Sequence, residues 1–112
     1  MQLRILRSYA TQYHNPIILR EGDRVVLGEE ETEEKWKGWI KAAHDNISGW
    51  IPKQIVHAQP GGTGIITEYY SAKELDVEAG DEVEALKELN GWLWVKHMRT
   101  GEEGWIPKEI TA

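Results

Sequence analysis

The stretch WLWVKHMRTGEEGWIP, Trp92 to Pro107, decides how this chain is read. Its end runs into GWIPKEI (104–110), which repeats an earlier phrase, GWIPKQI (49–55), with six of seven letters the same. The copies start 55 residues apart in a chain of 112. Self-similarity at a fixed period implies two like units where length alone suggests one domain.

The halves align beyond this phrase. IILREGDRVVLGEE (17–30) answers LDVEAGDEVEALKE (75–88), and WIKAAHDNISGWIPKQI (39–55) answers WVKHMRTGEEGWIPKEI (94–110). The Gly-Asp pairs, Gly22-Asp23 and Gly80-Asp81, are 58 apart, so the first half carries three extra residues, placed in EEETEEK (29–35). AQPGGTG (58–64) reads as a short linker between the halves. In each half DRVVLG and DEVEAL alternate apolar and polar residues after a turn signal. KGWIKA and GWLWVKH are rich in the aromatic and branched residues that suit strands. HDN and RTG are tight-turn material. Pro stops the GWIP strand because it cannot donate to a ladder, and IVHA and ITA add a last short strand. Five short strands in about 50 residues suggest a small, partly open barrel.

Units this small bury little apolar surface and need bulky residues; six Trp and four Tyr supply them. With no Cys there is no disulfide framework, thiolate metal site or Cys nucleophile. The net charge is -6. Residues 1–59 hold 8 basic and 8 acidic side chains, and residues 60–112 hold 5 and 11, so the second half carries the whole excess. Phosphate-backbone binding rests on Lys and Arg, so nucleic acid and anionic membrane are poor partners. A basic or neutral partner suits the charge better. Arg4 and Arg7 interrupt the N-terminal apolar run, unlike a signal peptide, and no apolar stretch nears bilayer length. The expected setting is cytoplasmic.

The order and spacing of these phrases resemble the Src-homology-3 (SH3) family, in its variant, bacterial-type form, twice over. GEEGWIP fits the family's Gly-x-x-Gly-x-x-Pro, and Trp92 to Pro107 has the family spacing from the ligand-facing Trp to the groove Pro. ILRSY (5–9) and IITEY (65–69) stand where the family has Ala-Leu-Tyr-Asp-Tyr. The resemblance implies an all-β fold of two tandem five-stranded barrels joined by a short Pro/Gly linker. The expected boundaries are 1–57 for the first barrel, 58–63 for the linker and 64–112 for the second barrel.

The family binds extended, proline-rich segments on aromatic rings beside an acidic loop, a ligand already close to its bound form. Carried over residue by residue, the second half supplies Tyr69, Trp92 and Pro107, with Trp105 flanking the specificity pocket. Glu68 and Glu74 are its candidates for pairing with a ligand cation, next to Asp76 and Glu78. The first half supplies Tyr9 and Pro52, with Trp50 as the counterpart of Trp105. Counting back from Pro52 puts Lys37 at the ligand-facing place; a one-residue bulge would put Trp36 there. Thr67, Ile110, Arg7 and Ile55 replace family tyrosines, so the proline groove is depleted, more so in the first half. Trp50 and Trp105 read either as contact surface or as rims packed within the barrel. Trp39 and Trp94 read either as cover for the barrel edge or as filling for the seam between the two barrels. EEETEEK reads either as attraction for a basic peptide or as a solvated loop.

His14, His44, His57 and His97 show no ligand-type spacing, and each reads as a surface or loop residue. No nucleophile motif or phosphate loop is present. The expected protein is non-catalytic, needs no cofactor or metal, binds a protein or peptide, and is a monomer or weak homodimer. Two alternatives differ in class: a structural tandem barrel with no free groove, and a cell-wall or glycan-binding module. Asp23 and Asp81 read as turn residues, Gly22 and Gly80 as positive-φ positions, and Ile51, Ile106, Leu93 and Val95 as core.

Overall fold

The computed structural model of the chain describes residues 1–11 and 14–112, and these residues are all-β. In chain order the strands are β1 (Gln2–Arg4), β2 (Ile18–Leu19), β3 (Arg24–Glu30), β4 (Trp39–His44), β5 (Ile47–Pro52) and β6 (Val56–Gln59). They continue with β7 (Thr63–Ile66), β8 (Tyr70–Ser71), β9 (Glu82–Leu89), β10 (Trp92–His97) and β11 (Glu103–Pro107). Short 3-10 turns, Lys53–Ile55 and Lys108–Ile110, follow the two Ile-Pro phrases.

The opening strands are exchanged between the sequence halves. β1 pairs antiparallel with β9, Leu3 opposite Val83. β7 pairs with β3, Gly64 opposite Val25. The chain accordingly forms two compact units: unit 1 is Met1–His14 with Lys73–Ala112, and unit 2 is Asn15–Ala72. These are not the expected blocks 1–57 and 64–112, and 58–63 is not a spacer. Gln59 pairs with Thr63, so Pro60, Gly61 and Gly62 form the turn of a β6–β7 hairpin. Gly61 (φ 85°) and Gly62 (φ 79°) adopt the left-handed backbone that such a tight turn requires. A closed hairpin costs little loop entropy, which favours pairing of β7 with β6.

Each unit repeats one topology. Unit 2 orders its main sheet β5-β4-β3-β7-β6. Unit 1 orders β11-β10-β9-β1, and the end of the chain takes the last place. There Arg4 and Ala112 exchange backbone hydrogen bonds at 3.0 Å each way. Equivalent bonds recur around both turns: Ile5 N–H to Asp81 O (2.8 Å) and Ile66 N–H to Asp23 O (2.9 Å), then Leu6 N–H to Ile110 O and Thr67 N–H to Ile55 O (both 2.7 Å).

Strand alternation places the cores as expected. In unit 1 Ile5, Leu75, Val77, Val83, Leu93, Val95, Ile106 and Ile110 form one buried cluster, with Leu3, Tyr9 and Ala85 packed against it. In unit 2 Ile17, Leu19, Val25, Ala42, Ile51, Ile55 and Ile66 are buried. Gly22 and Gly80 have φ of 91° and 94°. The Asp after each caps its turn, Arg20 N–H donating to Asp23 Oδ2 (2.8 Å) and Glu78 N–H to Asp81 Oδ2 (2.9 Å).

Candidate functional site

The site is set by strand register. β10 and β11 put Trp92 opposite Pro107 and Trp94 opposite Trp105. β4 and β5 put Trp39 opposite Pro52 and Lys41 opposite Trp50. The counterpart of Trp92 is therefore Trp39, which corrects both the placement of Trp36 and the expected pairing of Trp39 with Trp94. Trp36 ends a separate 3-10 turn, Glu34–Trp36. The shift arises at the hairpin ends. Asp45 (φ 48°) and Asn46 (φ 66°) make a two-residue turn of the type that matches strand twist, whereas residues 98–102 make a longer loop.

The opening strands obey the same logic. Tyr9 bridges Val77, and Tyr70 pairs with Leu19. Tyr70, not Tyr69, is thus the counterpart of Tyr9. One residue of slip turns a side chain to the other face: Tyr70 is 6% exposed and Tyr69 61%. Tyr69 and Glu68 belong to unit 2 and Trp92 to unit 1.

Unit 1 instead brings together residues from both sequence halves. The rings of Tyr9 and Trp92, both half-buried, meet edge to face, centroids 6.0 Å apart at 77°. The Tyr9 hydroxyl donates to Glu74 Oε1 at 2.7 Å. Thr11 N–H donates to Asp76 Oδ1 at 2.8 Å. Trp105 is not contact surface. It is 5% exposed, stacked edge-on against Trp94 at 5.4 Å. Its backbone N–H donates to Lys73 O (2.9 Å), and its carbonyl accepts from Leu75 N–H (3.1 Å). This close approach explains the second Gly of Gly-x-x-Gly: a Cβ on Gly104 would lie 2.9 Å from Leu75 N and 3.0 Å from Glu74 C. Pro107 is buried.

Unit 2 presents different chemistry. Trp39 (8% exposed), Tyr70 and Pro52 are all buried, and Trp39 Nε1 has no hydrogen-bond partner among the described residues. Trp50 is half-buried with Lys41 Nζ 5.3 Å from its ring centroid. Leu75 packs at Gly104 as Ile17 packs at Gly49. The places of Glu74 and Asp76 are therefore taken by Pro16 and Ile18, and the acidic pair exists in unit 1 alone.

One buried residue was missed in the sequence. His97, expected at the surface or in a loop, ends β10 and is 5% exposed. Its Nδ1 accepts from the backbone N–H of Arg99 (3.1 Å) and Thr100 (3.4 Å). Nε2 therefore carries the proton and donates to Asp81 Oδ2 at 3.1 Å. His44 stands at the matching end of β4, its Nε2 3.6 Å from Asp23 Oδ2. The signal was the repeated Trp-x-x-x-x-His, Trp39 to His44 and Trp92 to His97, each with its Gly-Asp. Glu78 N–H and then His97 hold the Asp81 carboxyl below its ordinary value, against the opposing effect of burial. With both ring nitrogens engaged, His97 clasps Asp81 to the backbone of Arg99 and Thr100. It lines an open cleft of about 620 Å³ in unit 1 with Glu74, Asp76, Glu78 and Arg99. Among the described residues no group of three His, Asp or Glu is arranged to hold a metal ion. No helix there is long and apolar enough to cross a membrane.

A family model described as the variant SH3 domain matches residues 3–59. The chain belongs to that family. No curated protein and no solved structure matched it. The SH3 match runs continuously through residues that the fold divides between the units: β1 lies in unit 1, and 15–59 in unit 2. SH3 domains are in general non-catalytic and bind protein or peptide ligands, which makes the Tyr9–Trp92–Glu74 grouping the site to consider first.

Proposed function

We propose that this SH3 protein is a non-catalytic interaction module that binds an extended, proline-containing and basic peptide on unit 1. The observation that carries this reading is the edge-to-face contact of Tyr9 and Trp92 with Glu74 held beside them. The half-buried rings offer faces against which a preordered proline segment can lie at small entropic cost. Glu74 already accepts the Tyr9 hydroxyl, which fixes its carboxylate, and it retains lone pairs for a Lys or Arg of the ligand. The net charge of -6 favours such a partner and disfavours nucleic acid and anionic membrane. A cytoplasmic setting and a monomer or weak homodimer fit this reading. Unit 2 supports a different role, as scaffold: Trp39, Tyr70 and Pro52 are all buried there.

The test is a titration of the isotope-labelled chain with a proline-rich peptide ending in Arg, followed by amide and indole shifts. The expected shifts cluster at Tyr9, Glu74 and Trp92, and Trp92→Ala abolishes them while the remaining spectrum stays dispersed. Shifts confined to 15–72, or none at all, overturn the reading.

A further inference from the structure

Leu3 and Gly64 occupy equivalent places, opposite Val83 and Val25. Their surroundings differ in the opposite sense. A Cβ on Gly64 would meet Val56 Cγ2 at 2.6 Å and Leu27 Cδ1 at 3.1 Å, both closer than side chains ordinarily approach. The place of Leu27 in unit 1 is held by Ala85: Leu27 pairs with Ala42 in β4, and Ala85 with Val95 in β10. Leu3 and Ala85 pack on the same cluster. A large opening residue thus meets a small neighbour in unit 1, and an opening residue with no side chain meets a large neighbour in unit 2.

We infer that this size matching selects which opening strand each unit accepts. Cores tolerate neither an added side chain without displacement nor a vacated one without a cavity. The backbone bonds do not discriminate, because Ile5 and Ile66 make the same ones. Leu3 and Gly64 are then positioning residues for the peptide site: they place Tyr9 beside Trp92 in preference to Tyr70. That consequence rests on the peptide-binding reading; the strand selection itself does not.

The test exchanges the sizes in the full chain, Leu3→Gly with Gly64→Leu. Each opening strand is expected to return to its own sequence half, so the contact of residue 3 with Val83 in nuclear Overhauser spectra is replaced by one with Val25. A protease site inserted between Gly61 and Gly62 and cut after folding gives a second readout. The cut wild-type chain elutes as one species, because β1 and β7 each lie in a unit made mainly by the other fragment. The cut double variant separates into two. Retention of the residue 3 to Val83 contact in the double variant overturns the inference. Should that variant fail to fold, Gly64→Ala is compared with and without Val56→Ala. Gly64→Ala alone is expected to speed amide exchange across 15–72 at least tenfold, and several-fold less when Val56 is already Ala. Equal effects in both backgrounds also overturn the inference. None of these readouts involves a peptide, so failure of peptide binding leaves them unaffected.

Discussion

Tyr9 donates its hydroxyl to Glu74 Oε1 at 2.7 Å across 65 residues of chain. Both groups belong to unit 1, although one lies in each half of the sequence. A grouping assembled this way depends on β1 being seated on β9. Tyr9→Phe keeps the ring contact with Trp92 and removes only the hydroxyl. The expected cost is about 1 kcal/mol, with the partly buried Glu74 losing a donor. Residue-level amide exchange checks it: the acceleration falls in 1–11 and 73–112 and spares 15–72.

Gly104→Ala drives a methyl group into the backbone of Glu74 and Leu75, with contacts of 2.9 and 3.0 Å. Backbone yields less readily than side chain, so the expected loss is about 1–3 kcal/mol. Gly49→Ala meets a side-chain atom, Ile17 Cγ2 at 3.1 Å, and is expected to be the milder of the two. Urea unfolding of both variants ranks them; the reverse order would count against the close approach of Lys73–Leu75 to β11.

Asp81 carries a pH dependence of definite sign. Its folded carboxyl titrates below the ordinary 3.8, held down first by Glu78 N–H and then by His97. A depressed carboxyl stabilises the fold fully above its unfolded value, and that contribution is lost as pH falls through the lower, folded value. Asp81→Asn is expected to lower stability at neutral pH and to flatten the acid limb below about pH 4. Thermal unfolding from pH 2 to 7 checks both, and an unchanged acid limb would show that Asp81 does not contribute there.

Core truncation tests the division into units. Ile51 and Ile106 are fully buried counterparts, and Ile→Ala at such sites costs about 2–5 kcal/mol. Ile51→Ala is expected to loosen β7 (63–66), which lies in the other sequence half, and to leave β1 protected. Ile106→Ala is expected to do the reverse. Hydrogen exchange at residues 2–5 and 63–66 decides the point.

Much of the fold was legible because its signals are local. Gly22 and Gly80 mark positive-φ turns, and Asp23 and Asp81 cap them through bonds spanning three residues. Alternation put Leu93, Val95, Ile51 and Ile106 inside. The site was legible only in part. The sequence offers Trp92, Pro107, Glu74 and Tyr9 as candidates, but it does not show that Tyr9 meets Trp92, nor that Tyr70 and not Tyr69 is the counterpart of Tyr9. A one-residue slip leaves the letters nearly unchanged and reverses which ring is buried. Trp39 was displaced because the two-residue turn at Asp45-Asn46 is shorter than the loop at 98–102, a difference that counting along the chain cannot assign. His97 gave only the faint signal of a matching His44.

By itself the sequence determined the local matter: an all-β chain, two copies of one strand pattern, their turns, and the residues that face inward. Those properties depend on side-chain alternation and on backbone preferences within a few residues. Which opening strand belongs to which unit was decided only by the tertiary structure. Gln2–Arg4 and Thr63–Ile66 fit the same strand pattern and make equivalent backbone bonds, so the strand pattern alone does not separate them. Closure of the hairpin at Pro60–Gly62 holds β7 in unit 2, β1 is left to β9, and Tyr9 is thereby carried to Trp92.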